Sequence, residues 1–349
     1  MPNYALSVLA KGQAIVTKKH QAPELRRPFP TVFELALRNG TFSIPNAPDL
    51  RKSDKRPVEI YYQLKRSQGN GTTKAALHTG TFGDSGMVEL VYVQHVETFS
   101  LPRKIAQNNI LTYQAMFNHL YEEAWRNMRN RHDNSALNFL FANRMQLDAA
   151  TVNAEIASAN PGTYNDTTFA LEIDQTKKTR FMQMAQNYML ARLFDGTYDV
   201  VADLQTAAEF KYQMNQGAGN DKNTSFQFSG ANIATTQKVV AADYSQGAAL
   251  FLPSGSFSGM YWNDPLNKSG VNAGETEVGV LGTQSDPFGS GLVGDISVYT
   301  KRADTSANTT GGNPQDIVDQ YEVTGIVAYA LPPLSLAGDS VVHLVGQAT

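Results

Sequence analysis

The most informative stretch of the sequence is residues 103–147, where apolar side chains recur at a helical period. The apolar positions are Tyr113, Phe117, Leu120, Ala124, Met128, Leu137, Phe141 and Met145. Helix throughout would make a rod of roughly 60 Å, against a usual helix length of about 11–12 residues. Such a rod predicts a part that spans a surface or meets neighbouring subunits. A turn at residues 127–134 is the alternative, and it would divide the stretch into two helices.

The composition predicts a globular protein whose surface is poor in charge. A chain of 349 residues with 42% apolar residues can bury a substantial core, as one large or two ordinary domains. Charged residues make up 17%, below the ~25% usual for soluble domains. Such a surface suits a protein that is covered by copies of itself. The absence of cysteine excludes disulfides, thiolate metal sites and thiol catalysis.

Charge is distributed unequally along the chain. Residues 1–150 carry 19 Lys/Arg against 12 Asp/Glu, a balance of +7, and residues 151–349 carry 10 against 20, a balance of −10. Two interpretations remain open: composition differs between two domains, or the basic half of one copy rests on the acidic half of the next. Nucleic-acid binding by the basic half is a further possibility, but the sequence has no Arg/Lys tract interleaved with aromatic residues.

No segment of the sequence has the pattern of a membrane anchor. The first ten residues lack the basic region and long apolar core of a signal peptide. The longest uncharged stretch near the middle, residues 244–263, is interrupted by Ser, Gly, Gln and Pro. We therefore expect no membrane span.

The N-terminal third predicts an arm followed by a long hairpin. Residues 1–30 are basic and end in a proline-flanked segment, which favours an extended arm. A short element at 33–38 leads into a turn at Asn39-Gly40. Strand patterns at 58–65 and 87–96 flank the turn-forming residues 67–72. Because an isolated two-stranded hairpin is marginal in water, this one would need a partner to lie on.

The remainder of the chain is mixed and then rich in strands. A helix is predicted at 174–194 with Asp174 as its N-cap, then a strand at 198–202 and a helix at 204–215 capped by Asp203. The later strand segments are 226–233, 248–252, 278–281, 292–299, 321–329 and 341–345. This order predicts the α+β class.

One motif resembles a catalytic serine. Gly83-Asp84-Ser85-Gly86 matches the sequence around the nucleophile of trypsin-like proteases, a chemistry that needs a histidine base and an orienting carboxylate. The nearest histidines, His78 and His95, lie in strand or turn sequence without the surrounding pattern of that family. A turn between strands is the favoured interpretation.

Two further motifs are weak. His132-Asp133 resembles a metal-binding dyad but has no spaced partner, so a solvated helix position is expected. The Gly217-Ala218-Gly219 triplet follows a helix and is not followed by Lys-Ser/Thr, which argues against a phosphate loop. The sequence therefore predicts no catalytic, cofactor-binding or metal-binding residue, no cofactor and no enzymatic activity.

Three segments carry a resemblance to a known family. They are residues 194–203 (Phe-Asp-Gly-Thr-Tyr-Asp-Val-Val-Ala-Asp) leading into a helix, Asp286-Pro287-Phe288-Gly289, and residues 315–322 (Gln-Asp-Ile-Val-Asp-Gln-Tyr-Glu). With the order of arm, basic hairpin, long helix and acidic αβ region, the chain resembles the major capsid proteins of tailed bacteriophages, which have the Hong Kong 97-like fold. The resemblance covers residues 31–349 and rests mainly on order and length.

The resemblance implies a five-part organisation. Residues 1–30 would be the N-terminal arm and 31–102 the extended-loop region. Residues 103–195 would hold the spine helix and part of the peripheral domain, 196–290 the axial domain, and 291–349 the peripheral-domain strands and C-terminus. Some relatives form Lys–Asn crosslinks, and Lys65 and Lys74 lie near the expected loop tip. The cleaved scaffolding segment of some relatives does not precede the arm, which implies a separate scaffolding protein or none.

The implied function is structural. The chain would assemble into hexamers and pentamers of an icosahedral shell around double-stranded DNA, bound without sequence specificity. Scaffolding, portal and decoration proteins are the further partners that the family suggests, and the location would be the virion, assembled in the host cytoplasm. Two alternatives stay open: a double jelly-roll capsid protein, with about sixteen short strands and few long helices, and a soluble hydrolase that uses Ser85.

Overall fold

The structure, a computed structural model, describes residues 2–20, 30–44, 58–63, 85–103, 110–157, 162–192, 194, 196–218, 231–263, 277–304, 315–332 and 340–348. The helices of these residues are α1 (Pro2–His20), α2 (Val32–Ser43), α3 (Ile110–Ala142), α4 (Ala149–Ile156), α5 (Phe181–Ala191) and α6 (Leu204–Ala218), with a 3₁₀ helix at Gln175–Arg180. The strands are β1 (Val58–Gln63), β2 (Ser85–Pro102), β3 (Thr163–Asn165), β4 (Ala170–Asp174), β5 (Tyr198–Asp203), β6 (Ala231–Thr236), β7 (Ala248–Pro253), β8 (Ser258–Tyr261), β9 (Glu277–Ser285), β10 (Val293–Asp304), β11 (Gln315–Ala330) and β12 (His343–Ala348). The predicted α+β class is confirmed.

Sheet one is antiparallel and is organised around two long strands. Its order is β1-β2-β11-β10-β9, and β8 pairs with the last residues of β11. The 18 residues of β2 span roughly 60 Å. Its first part, Ser85 to Leu90, pairs with β1, and its remainder, from Val91 to Pro102, pairs with β11. One strand therefore continues from the body of the sheet into the hairpin.

Helix α3 lies on sheet one and is continuous. Its 33 residues correspond to about 50 Å, and no turn interrupts 127–134, so the one-helix prediction is confirmed over 110–142. Phe117, Tyr121, Trp125 and Met128 form its buried row and pack with residues of β2, β10 and β11 in one core cluster. The predicted region was longer, since the chain leaves the helix at Asn143 and residues 104–109 lie outside the described part.

Sheet two is mixed and has the order β3-β4-β12-β7-β5-β6. Strand β12 is parallel to β4, and β5 is parallel to β6. Helix α6 belongs to the crossover connection between β5 and β6. Helices α5 and α6 cover this sheet through Phe181, Tyr188 and Phe210, which belong to a second core cluster with Phe251 of β7.

The N-terminal segment differs from the extended arm that its composition favours. Residues 2–20 form α1, with Val8, Leu9 and Val16 buried. Pro2 occupies the first helical position, where its missing N–H costs nothing. Helix α2 likewise continues through the predicted turn at Asn39-Gly40. There the absence of a side chain on Gly40 lets α2 approach the carbonyl of Gly259 in β8.

Other elements differ from prediction in detail. The segment at 174–194 begins as a 3₁₀ helix, in which the Asp174 carboxylate accepts from the Thr176 amide at 2.8 Å. The predicted cap of α6 is confirmed, because the Asp203 carboxylate accepts from the Thr206 amide at 2.9 Å. Helix α4 and strands β3, β4 and β8 were not predicted. All four lie in sequence whose apolar patterns are short.

Sheet membership does not follow the five predicted parts. Strands β8 and β9 lie within 196–290 yet belong to sheet one, whereas β12, within 291–349, belongs to sheet two. The division into 1–30, 31–102, 103–195, 196–290 and 291–349 stays a prediction.

Candidate assembly surface

The predicted hairpin strands pair in the structure. Strand β1 lies antiparallel to β2, from Val58 opposite Leu90 to Gln63 opposite Ser85. The connection at 64–84 lies outside the described residues, and with it the turn at 67–72 and the two lysines, Lys65 and Lys74.

The hairpin presents large apolar side chains to solvent. Tyr61 and Met87 lie directly opposite each other in the register and are 69% and 53% exposed. The base of the hairpin is fixed, because Leu90 is buried in a small cluster with Ile44, Met260 and Ala328. The apolar pair thus lies beyond a rigid anchor, where its exposed area is available for contact with another surface.

Helix α6 carries a second exposed apolar stripe. Leu204, Ala208 and Tyr212 recur every four residues, so they share one face of the helix, and all three are exposed. The opposite face packs on sheet two through Ala207 and Phe210. A helix that is apolar on both faces is typical of an element with a second partner.

The segment Asp286-Pro287-Phe288-Gly289 joins α1 to α3. The ring of Phe288 lies 4.3 Å from that of His20 and 5.0 Å from the guanidinium carbon of Arg129. Asp286 is buried, and burial raises the pKa of its carboxyl although the charge of Arg129 opposes the shift. Arg129 also pairs with Glu34 of α2, so one arginine holds three elements together.

Asp199, in the 194–203 segment, links α2 to sheet two. Its fully buried carboxylate accepts from the side-chain amides of Asn39 at 2.7 Å and Asn232 at 2.9 Å. The Ser254 hydroxyl at 3.1 Å and the Gly255 amide at 2.9 Å complete the set. Four neutral donors therefore satisfy a buried charge.

In the 315–322 segment, Asp319 is the buried partner of Arg103. Arg103 Nε and Nη2 donate to the two carboxylate oxygens at 2.9 and 2.8 Å, and the Tyr113 hydroxyl donates at 3.2 Å. The hydrogen bond to Asp319 raises the pKa of Arg103 although burial opposes the shift. The pair ties the end of β2 to β11 and α3.

The candidate catalytic serine is not joined by its nearest described histidine. Ser85 and His95 lie on the same strand, ten residues and roughly 33 Å apart. The His95 ring instead bonds Ser135 Oγ at 2.9 Å, and His78 lies outside the described residues. A dyad of Ser85 with His95 is excluded by this geometry.

The solvated position expected for His132-Asp133 is wrong. Both residues are buried: His132 packs against the His95 ring at 4.7 Å, and Asp133 accepts from the Val32 amide at 2.8 Å. The two side chains serve the packing of α3 against β2 and α2. Within the described ranges no three His, Asp or Glu side chains gather in a metal-binding arrangement. Likewise, none of the helices described here combines the length and apolarity needed to cross a bilayer.

Comparison with known proteins gives similarity of structure without similarity of sequence. No family model and no curated protein sequence matches the chain. It is similar to a structure of Mycobacterium phage Che8, with 10% identity over 90% of each chain and a TM-score of 0.49. It is also similar to the Cyanophage Pam1 capsid asymmetric unit (11% identity, 86% of this chain and 87% of that chain, TM-score 0.43) and to the capsid of Ralstonia phage GP4 (12%, 85% of each, 0.41). Phage capsid structures are thus among those that this chain is similar to.

Proposed function

We propose that this chain is a major capsid protein, which assembles with copies of itself into an icosahedral phage shell that encloses double-stranded DNA. Its work would be structural and not enzymatic. Hexamers and pentamers would be its immediate assemblies, the virion its location and the host cytoplasm its site of assembly. Scaffolding, portal and decoration proteins would be its further partners.

The observation that carries this proposal is the hairpin of β1 and β2. From Leu90 back to Ser85, β2 pairs with β1 and no longer with β11. Tyr61 and Met87 lie in this part, and most of both side chains is exposed to solvent. Exposed apolar area of this kind gains about 25 cal/mol for each Å² that a neighbour buries. A closed shell repeats the contact in every subunit, so a modest gain per contact becomes a large one per particle.

The stripe on α6 supports the same proposal from the other sheet. Leu204 and Tyr212 are exposed on the face of α6 that points away from sheet two. Two separate apolar surfaces on one chain suit heterologous contacts, in which each copy meets different neighbours. Rings and closed shells require contacts of that type.

The alternatives do not fit the described elements. A double jelly-roll would need about sixteen short strands and few long helices, whereas this chain has a 33-residue helix and strands of 16 and 18 residues. The hydrolase hypothesis needs a histidine base close to Ser85. His95, the nearest histidine in sequence that the structure describes, lies far from Ser85 along the same strand, so it cannot be that base.

Negative-stain microscopy of the purified chain tests the proposal. We expect closed shells or capsomer rings for the wild type. The Met87→Asp variant should form far fewer, because it places a charge in the apolar contact, while its circular dichroism and melting temperature stay unchanged. Gln94→Asp, at an exposed position of β2 within the body of sheet one, is the matched control and should assemble. A well-folded wild-type monomer at high concentration would contradict the proposal.

A further inference from the structure

Arg144 lies just beyond the end of α3, where two phenyl rings hold its guanidinium. The guanidinium carbon is 4.2 Å from the ring centre of Phe141 and 5.7 Å from that of Phe169. Nη1 donates to the carbonyl of Phe141 at 3.0 Å. The aromatic faces and this hydrogen bond keep the planar group in one orientation. The arginine is therefore preorganised, although it is only partly buried.

The backbone of Phe169 adopts a conformation that bulky residues avoid. Its φ of +54° lies in the left-handed region, within the connection between β3 and β4. A residue other than glycine persists there only where its surroundings enforce the conformation, and such positions cluster at functional sites. The ring packs against the second core cluster and also lies over Arg144. The strained connection thus places one of the two rings beside the arginine.

One edge of the Arg144 guanidinium has no acceptor among the described residues. Nε is buried without a hydrogen bond, and Nη2 is neither buried nor bonded. These two groups lie on the same edge of the guanidinium and match the two oxygens of a carboxylate. Arg103 uses that edge within this chain, because its Nε and Nη2 donate to Asp319 at 2.9 and 2.8 Å. Arg144 has the same pair of donors and no described carboxylate to receive them.

The carboxylates nearest to Arg144 along these two segments do not serve it. Asp148 caps α4, where its side chain accepts from the Thr151 amide at 2.9 Å. Asp166 is exposed in the β3–β4 connection and forms no ion pair with Arg144. Both add negative charge to the region, which disfavours contact with a polyanion such as DNA. A single carboxylate that reaches the edge of the guanidinium is the better match.

We propose that Arg144 anchors a carboxylate of a neighbouring copy, so that the residues beyond α3 and the β3–β4 connection form a contact between subunits. This inference rests on the proposed capsid function and specifies one of its contacts. Residues 151–349 carry a balance of −10, so every neighbour supplies carboxylates. Arginine is enriched among the residues that dominate interfaces, and flanking apolar groups exclude water from its ion pairs.

Chemical labelling tests the inference. Phenylglyoxal, which modifies accessible arginines, is applied to the unassembled chain and to particles assembled without DNA, and the modified peptides are identified by mass spectrometry. Arg144 should react in the unassembled chain and be protected in the particles. Arg180, an exposed arginine of the 3₁₀ helix, is the reference for reactivity in the unassembled chain.

Substitution of the arginine gives an independent measurement. Arg144→Gln should raise the protein concentration needed for assembly about tenfold or more, because it removes both donors of the edge. Arg144→Lys keeps the charge but cannot make two parallel hydrogen bonds, so it should lie between Arg144→Gln and the wild type. Arg180→Gln removes the same charge from an exposed position and is the matched control, which should assemble as the wild type does.

Urea unfolding of the unassembled chains separates a contact between copies from internal packing. The free energy of unfolding of Arg144→Gln should change far less than its assembly. The inference is overturned if unfolding accounts for the loss of assembly, if Arg144 stays reactive in particles, if it is protected only in particles that contain DNA, or if both Arg144 variants assemble normally. When the wild type forms no particles, the capsid function fails as well, whereas particles with a reactive Arg144 refute this inference alone.

Discussion

The imidazole of His132 on α3 packs directly against Gly325 of β11, at a position where sheet one has room for no side chain. A Cβ at Gly325 would lie 2.8 Å from His132 Nε2 and 2.8 Å from the sulfur of Met128. Gly325 is also the register partner of His95, whose ring contacts His132 from the neighbouring strand. The central part of α3 therefore packs closely on sheet one because residue 325 has no side chain.

Gly325→Ala should destabilise the chain by about 1–3 kcal/mol, because the added methyl group forces α3 away from the sheet. A loss of stability would be informative, since alanine within a strand is otherwise favoured over glycine by about 0.5–1 kcal/mol. Urea unfolding of the two proteins measures the difference. Equal or greater stability of the variant would show that α3 does not lie this close to β11.

Stability should fall as the pH decreases below about 6.5. Burial lowers the pKa of His132 and that of His343 to about 3, each with a smaller effect of a neighbouring charged or ionisable group. Unfolded histidines have a pKa near 6.5, so between pH 6.5 and 3 the unfolded chain binds more protons and acid favours it. The slope should approach the order of 1 kcal/mol per pH unit for each histidine.

Urea unfolding at pH 7, 6 and 5 measures this dependence. His132→Gln should reduce the slope of unfolding free energy against pH by about one proton, whatever its effect on stability at pH 7. His119→Gln, which replaces an exposed histidine of the same helix, is the control and should retain the wild-type slope. Identical slopes in all three proteins would contradict the burial of His132.

Asp199→Asn should weaken the junction between α2 and sheet two by about 1–3 kcal/mol. The change replaces one acceptor oxygen with a donor that faces the amide of Asn39 or Asn232, and leaves buried donors without an acceptor. The measured quantity is the free energy of unfolding in urea. Asp166→Asn, an exposed change of the same chemistry, should stay within about 0.5 kcal/mol of the wild type.

Arg103→Gln should cost about 3 kcal/mol, because the carboxylate of Asp319 is fully buried and loses its bidentate partner. The hydroxyls of Tyr113 and Thr300 still donate to it, which keeps the loss at the lower end of the range for a broken buried pair. Arg126→Gln removes an exposed arginine whose carboxylate partner, Glu122, keeps Lys19, and should cost less than about 1 kcal/mol. Thermal unfolding of both variants compares them, and equal costs would refute the buried-pair assignment.

Assembly should weaken as ionic strength rises. We infer that the balance of +7 in residues 1–150 and −10 in residues 151–349 orients one copy against the next by opposite charge. At 1 M salt the Debye length is about 3 Å, so that attraction is largely screened. Light scattering across a salt series should show fewer particles at high salt. Particle yields that do not change with salt would contradict the role of opposite charge in assembly. Assembly would then depend on apolar contacts such as those of Tyr61 and Met87.

Local pattern predicted the elements whose signal is periodic or is carried by a cap. The helical spacing from Tyr113 to Met128 predicted α3, and Asp203 predicted the start of α6, because both signals lie within a few residues of what they specify. The same reasoning failed at His132 and Asp133. Their polar identity suggested solvent, although His132 continues the buried row four residues after Met128, and that spacing was the signal that could have found it.

The sequence by itself determined the elements with a long local pattern, such as α3, α6 and β11, and their order along the chain, because helical and strand periods are properties of neighbouring residues. The tertiary structure decided the rest: that α3 runs unbroken through 127–134, that residues 2–20 fold as a helix, and that β12 joins β4 although the two strands lie far apart in the chain. These outcomes depend on burial against distant partners. Val8 and Leu9 need the rest of the fold beside them before a helix at the N-terminus is favourable, and no local pattern contains that information.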